Sequence, residues 1–209
     1  MTWIDISQPM NERIATWPED TPFSYRRAVT KEESGSVNIG DITMSVHTGT
    51  HIDAPFHFDD EGKRVLDLDV NVYIGRAEVV DCRGYTSIGP EAFEGIDLSG
   101  IGRVLVKTDA STDPADFPVE APYLTPELAP FLEERDIRLI GVDVPSVDPM
   151  ESETLEAHHA LFAHGVHILE NAVLADIEPG TYELCALPLA LEEADGSPVR
   201  AVLKQVGKE

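Results

Sequence analysis

Three histidines and an aspartate fall within the eleven residues His47-Thr48-Gly49-Thr50-His51-Ile52-Asp53-Ala54-Pro55-Phe56-His57. Imidazole and carboxylate are the usual ligands of a hydrolytic zinc ion, and the same groups perform general acid–base work. Gly49, Pro55 and the threonines disfavour a helix here, while the alternation from Ile42 to Val46 reads as a strand running into a loop. On a straight strand the Cα atoms of His47 and Asp53 would lie about 20 Å apart. That is too far for two bonds of about 2.0–2.2 Å to one ion. A shared ion therefore requires the chain to fold back near Gly49-Thr50, where glycine reaches positive φ. A histidine-rich surface turn is the plainer alternative, but it leaves the order Gly-Thr-His-x-Asp-x-Pro without a reason.

A second set of candidates comprises His158, His159, His164, His167 and Glu170. On a helix His158 shares a face with Leu155 and Phe162, whereas His159 lies with Glu156 and Ala163, so His158 turns inward. His164, at the helix end, faces the terminal carbonyls, and His167 is a strand-end histidine without chemistry. Glu170 closes an apolar strand and needs a partner, either a metal or an arginine. Trp17, held extended by Pro18, covers either a ligand ring or the core.

The run from His47 to His57 resembles the signature of the cyclase-like metal-dependent amidohydrolase family. The resemblance extends to Ala15-Thr16-Trp17-Pro18, Gly141-Val142-Asp143-Val144-Pro145-Ser146-Val147-Asp148-Pro149, Ala157-His158-His159 and Ile168-Leu169-Glu170. It continues through Tyr182-Glu183-Leu184-Cys185-Ala186-Leu187-Pro188-Leu189 and Ser197-Pro198-Val199-Arg200-Ala201. It implies a swivelling β/β/α fold and a homodimer. It also implies His47, His51, Asp53, His158 and Glu170 as metal ligands, His57 as the proton-transfer residue and Trp17 in the substrate pocket. The implied activity is that of an arylformamidase hydrolysing N-formyl-L-kynurenine to L-kynurenine and formate, a step of tryptophan degradation. Two other readings stand beside it: hydrolysis of a cyclic amide such as isatin, and non-catalytic binding of a metal or small ligand.

Five implied ligands exceed the shell of one four-coordinate ion. If Asp53 and Glu170 each bridge, the set describes two divalent ions, with His47 and His51 on one and His158 on the other. Nitrogen and carboxylate donors without cysteine suit Zn²⁺ best, with Mn²⁺ or Co²⁺ tolerated. Such a pair acidifies water and polarises a carbonyl, leaving His57 to protonate the departing arylamine. His57 could instead be a further ligand or an orienting residue. The sequence has no Gly-x-Ser-x-Gly elbow, P-loop or dinucleotide fingerprint to support other chemistry.

The elements that must hold these residues follow from composition and periodicity. With 209 residues, 42% of them hydrophobic, the chain is expected to form one domain, 1–209. Its 15 Lys+Arg against 39 Asp+Glu, a net charge of −24, disfavour nucleic acid and anionic membranes as partners. A small-molecule substrate remains. No apolar run reaches the ~18 residues of a membrane span, and Trp3 to Ile6 reads as a first strand rather than a leader. Cys82 and Cys185 sit in apolar strands, as reduced cysteines of a cytoplasmic protein would.

Further strands are expected at Val37 to His47 (turning at Gly40-Asp41), Tyr73 to Cys82, Val104 to Lys107, Leu139 to Val142, His167 to Leu169, Tyr182 to Leu187 and Val199 to Lys204. One helix should open at Thr125-Pro126, another should run from Ser152 to His164, and Pro90 to Phe93 should make one turn. Ser111 to Pro122 reads as a long loop. This alternation predicts a single α/β domain with a mixed central sheet and flanking helices.

Overall fold

Aliphatic runs with polar residues only at their ends form strands buried on both faces, and Val104-Leu105-Val106 and Leu139-Ile140 are such runs. They form the middle of the sheet in a computed structural model that describes residues 2–108, 110 and 113–206. Asp109, and Ser111 and Thr112 at the start of the expected loop, lie outside the described residues.

The strands are β1 (Ile4–Asp5), β2 (Ser24–Val29), β3 (Ile39–Thr43), β4 (His51–Asp53), β5 (Ile74–Asp81), β6 (Ser87–Ile88) and β7 (Arg103–Lys107). After them come β8 (Tyr123–Leu124), β9 (Leu139–Val142), β10 (His167–Glu170), β11 (Gly180–Cys185), β12 (Gly196–Pro198) and β13 (Val202–Gln205). The helices are α1 (Lys31–Ser34), α2 (Leu128–Glu133) and α3 (Glu156–Ala163), with 3₁₀ turns that include Pro55–His57 and Pro90–Phe93.

Among the described residues, one curled sheet has the order β1-β13-β11-β5-β7-β9-β10-β4-β12, while β2-β3 and β6-β8 form two small ones. The centre β5-β7-β9-β10 is parallel and the outer pairings are antiparallel. Helices α2 and α3 lie in the β7–β9 and β9–β10 crossovers, as parallel neighbours require, whereas α1 lies in the connection between antiparallel β2 and β3. Alternation divides the core between the two faces of the sheet. Val104 and Val106 join Leu128, Leu132 and Leu161 of the helices. Leu105 points the other way and joins Ile52, Leu169, Leu184 and Leu203 of the sheet itself. No helix among the described residues is long and apolar enough to cross a membrane, and both cysteines are free.

Three local expectations are corrected. β3 passes straight through Gly40-Asp41, because those residues pair with Arg27 and Arg26 of β2, a strand whose polar sequence gives no apolar alternation. Helix α2 begins at Leu128, not Thr125. Its lead-in is held by i→i+3 bonds from the Leu128 and Ala129 N–H groups to Thr125 and Pro126, and Pro130 falls in the first turn, where no N–H is needed. Helix α3 begins four residues later than expected, because Leu155 takes a left-handed conformation (φ 47°) and the Asp148 carboxylate accepts the Ala157 and His158 N–H groups at 2.8 and 3.0 Å.

The turn carrying His57 depends on a close backbone approach. Phe56 N–H donates to the Lys63 carbonyl, and a Cβ on Gly62 would sit 2.5 Å from the Pro55 carbonyl carbon and 2.6 Å from the Phe56 nitrogen. Gly62→Ala is expected to displace this turn and to cost ~1–3 kcal/mol by urea unfolding. Gly102→Ala, where a Cβ meets nothing within 4 Å, should stay within ~0.5 kcal/mol of the parent; equal effects would contradict the assignment.

Candidate metal centre and active site

The chain does fold back at the position that a shared ion demands. Residues 46–50 form a turn and bend, with Gly49 at φ 68°, and His47 Nδ1 comes to 2.9 Å from Asp53 Oδ1. Thr50 Oγ1 pins the turn by donating to the Asn171 carbonyl at 2.6 Å while accepting the Gln8 N–H at 2.8 Å.

The next ligand candidates come from strand register. Beyond the turn, His51 and Asp53 lie on one face of β4, two residues apart. Antiparallel pairing with β10 sets Glu170 directly opposite His51, so its carboxylate enters on the same face. His158 Nε2 descends from the buried face of α3 to 3.5 Å from Asp53 Oδ2 and 3.7 Å from Glu170 Oε1. His159, one position on, is exposed.

Five side chains from three distant segments thus converge. His47, His51 and Asp53 form one group able to hold a cation; Asp53, His158 and Glu170 form a second. Asp53 belongs to both, its Oδ1 towards His47 and His51 and its Oδ2 towards His158. Glu170 spans them too, with Oε2 3.3 Å from His51 Nε2. Nitrogen–oxygen separations of 2.9–3.7 Å match the ~3.3–3.6 Å edge of a tetrahedron with ~2.0–2.2 Å metal–ligand bonds.

Asp53 makes the fit more specific. Its side chain is 1% exposed, and among the described residues neither oxygen accepts a hydrogen bond of acceptable geometry. A buried carboxylate in that condition needs a cation.

Outer partners determine which nitrogen of each ring is turned towards Asp53. His51 Nδ1–H donates to the Gly49 carbonyl at 2.8 Å, an oxygen that can only accept. His158 Nδ1 donates to Asp148 at 2.6 Å and His47 Nε2 to Asp195 at 3.0 Å. Each ring is left with its other nitrogen directed at Asp53, the arrangement in which histidine binds a metal. Burial works against a cationic His47, but Asp195 and Asp53 outweigh it and hold the ring up to about 10. Burial likewise opposes the His158 cation, and Asp148, Asp53 and Glu170 raise it to about 10. Burial opposes the Asp53 anion, but the facing rings of His158, His47 and His51 outweigh it and keep the carboxyl well below its usual range.

His57 lies just outside this group. Its ring centroid is 4.0 Å from that of His47 and its Nδ1 is 3.5 Å from Asp195 Oδ2, with the side chain 35% exposed. It borders a cleft of about 310 Å³ lined also by Trp17, His47, His158, Leu155 and Glu170. Trp17 stands edge-on to Phe117 with ring centroids 5.1 Å apart.

Two further histidines lie outside the cluster. Burial pushes the His167 ring down to about 4, and it accepts a hydrogen bond from the Tyr73 hydroxyl at 2.8 Å. His164 pairs with Glu133 at 2.6 Å, so it binds the end of α3 to α2 rather than serving the helix carbonyls. Sequence reasoning missed two residues of the site. Asp148 stands in one of the quoted motifs, but its bond to a ring ten residues away needed the start of α3. Asp195 lies 148 residues from His47, and only its place before Gly196-Ser197-Pro198 sets it apart.

Comparison with known proteins agrees with this geometry. The sequence matches the putative cyclase family over residues 4–149. It is 60% identical over 204 residues to a kynurenine formamidase of Bacillus cereus (strain ZK / E33L), covering 98% of each chain. A solved protein described as a potential metal-dependent hydrolase with cyclase activity is 29% identical, with a TM-score of 0.82 and 99% of each chain covered. Isatin hydrolase A from Labrenzia aggregata superposes with a TM-score of 0.82 over 97% of this chain and 93% of its own. At 24% identity, that likeness concerns the fold alone.

Two predictions follow from the inward-facing nitrogens and the shared carboxylate. Because ligation requires deprotonated rings, Zn²⁺ uptake by metal-stripped protein at pH 7 is expected to release about two protons, from His47 and His158, with affinity rising with pH towards 10. Calorimetry in buffers of different ionisation enthalpy counts them, and uptake without proton release contradicts the ligand set. Asp53→Ala should abolish all tight metal binding, as read by elemental analysis, since both groups lose their common member.

Proposed function

The chain belongs to the putative cyclase family, and from that premise we propose that it hydrolyses N-formyl-L-kynurenine to L-kynurenine and formate. The observation that carries this reading is the 60% identity, over 98% of both chains, to a relative named kynurenine formamidase. The geometry supports it, because a buried cluster of three histidines and two carboxylates lies at the base of a cleft with one half-open histidine and one tryptophan on its walls.

We assign His47, His51, Asp53, His158 and Glu170 as ligands of two Zn²⁺ ions per chain, with Asp53 and Glu170 shared between them. Ions held there supply a Lewis acid for the formyl oxygen and acidify the water that adds to the formyl carbon. Asp53 and Glu170 balance the added positive charge, and the outer partners Asp148, Asp195 and the Gly49 carbonyl keep the three rings in register.

His57 moves the proton. It stands outside the two groups that share Asp53, although with His47 and Asp195 it forms a third possible group, and its exposure lets it exchange protons with solvent. As the formyl C–N bond breaks, His57 protonates the arylamine nitrogen, and formate leaves with the oxygen taken from water. Trp17 offers its indole face to the aromatic ring of the substrate. The reading further takes the protein as a cytoplasmic homodimer, supported by two free cysteines and by the exposed β2–β3 hairpin. For a cyclic amide such as isatin, the support is a likeness of fold.

Formate release from N-formyl-L-kynurenine, with and without a chelator, tests the reaction. Activity that survives complete metal removal, or that is no faster than on simple formamides, removes the assignment. His57→Ala is expected to keep its metal while kcat falls by roughly 10²–10⁴. Metal loss in that variant would make His57 a ligand instead.

A further inference from the structure

Trp17, Pro18, Glu19 and Asp20 form a turn closed by the Asp20 N–H, which donates to the Trp17 carbonyl at 3.1 Å. Proline suits the second position of such a turn, but Glu19 takes φ 72° at the third, where left-handed backbone normally calls for glycine or asparagine. An outlier of this kind persists only where its surroundings fix it, and such outliers gather at ligand-binding positions. The turn keeps the Cα atoms of Trp17 and Asp20 within about 7 Å of each other. Both residues line the cleft above the metal centre.

Asp20 is a charge in that cleft that the reaction described above does not use. It belongs to none of the candidate metal groups. One of its oxygens accepts the Thr21 N–H at 2.6 Å, and among the described residues no lysine, arginine or histidine pairs with the carboxylate. Nor does any lysine or arginine among the described residues line the cleft. Asp20 is half-buried, so it is only partly hydrated, and a carboxylate in that state gains from a charged hydrogen-bond donor.

The substrate read above carries one such donor, its α-ammonium group. A ketone, a methylene and the α-carbon separate that group from the aromatic ring, a short span like the one between the two ends of the turn. With the ring against Trp17, the ammonium falls to Asp20. We propose that Asp20 binds the α-ammonium of N-formyl-L-kynurenine and so selects aryl formamides bearing a cationic amine over those whose side chain is neutral or anionic. The proposal rests on the formamidase reading and names what the cleft distinguishes in that substrate. The ammonium is remote from the formyl C–N bond and keeps its charge throughout, so the contact is made equally before and during bond breaking. It acts on KM rather than on kcat.

Formate release from N-formyl-L-kynurenine and from 4-(2-formamidophenyl)-4-oxobutanoate, which lacks only the α-amine, tests this. The parent is expected to use the first compound roughly 10–100-fold better in kcat/KM, mostly through KM. Asp20→Asn should lose that factor on N-formyl-L-kynurenine, keep its metal, and use the desamino compound as well as the parent does or better. Glu19→Gln removes an exposed neighbouring charge that does not line the cleft, and should leave the ratio unchanged. Equal losses on both compounds would show that Asp20 only holds the turn, and a loss in Glu19→Gln as large as in Asp20→Asn would show a general effect of loop charge; either overturns the proposal. If Asp20→Asn fails to fold, Asp20→Ser keeps an oxygen for the Thr21 N–H and is read in the same way. An active parent that does not distinguish the two compounds defeats the role of Asp20 alone, whereas a parent inert towards both defeats the reaction and this proposal with it.

Discussion

The Asp53 carboxylate is the constraint on which the rest of the site depends. It is buried to 1% exposure, and neither oxygen accepts a well-formed hydrogen bond among the described residues. Taking an ion out of water costs several kcal/mol unless an opposite charge offsets it. The three histidines around it are arranged to provide one, and they are shared with the carboxylate of Glu170. Three rings present nitrogens to it, and those of His47 and His158 hold either protons or a metal ion. The same carboxylate therefore makes the empty site proton-rich and the loaded site tight.

Orientation comes from a second layer of acceptors. A ring can offer its lone pair inward only if its N–H has somewhere to go outward. The Gly49 carbonyl, Asp148 and Asp195 are those destinations. Asp148 serves twice, since it also accepts the first N–H groups of α3 and so fixes the start of the helix that delivers His158. Asp195 joins a ligand candidate to His57, pairing with both His47 and His57. A site built this way tolerates little displacement, because the groups that position the ligands also end the elements carrying them.

The sheet explains why the cluster lies where it does. Glu170 is the last residue of β10, and Pro145 and Ser146 follow the end of β9, so the cleft opens beyond the carboxyl ends of the parallel strands. Open α/β sheets bind ligands at that end. Antiparallel β4 then enters from the opposite direction and brings His51 beside Glu170 through register alone. The long connection before it leaves the sheet, makes the exposed hairpin and returns at His47, so an exposed part of the chain is covalently joined to a buried carboxylate.

Local chemistry was sufficient for much of this to be read from the sequence. The His47-to-His57 run, its reversal at Gly49, the inward phase of His158 and the strands built on Val104-Leu105-Val106 and Leu139-Ile140 all follow from short-range periodicity and ligand geometry. Steric and solvation preferences act over a few residues, so they leave a mark in the order of side chains. What the sequence could not carry was anything set by pairing across long separations. β2 has no apolar alternation, so only its partnership with β3 makes it a strand and keeps β3 straight through Gly40-Asp41. The opposition of His51 and Glu170, the caps from Asp148 and the bond from His47 to Asp195 arise from register and crossover geometry. Tertiary structure decided these, because a hydrogen bond between residues 148 positions apart depends on where the whole sheet brings the chain, and neither neighbourhood alone encodes it.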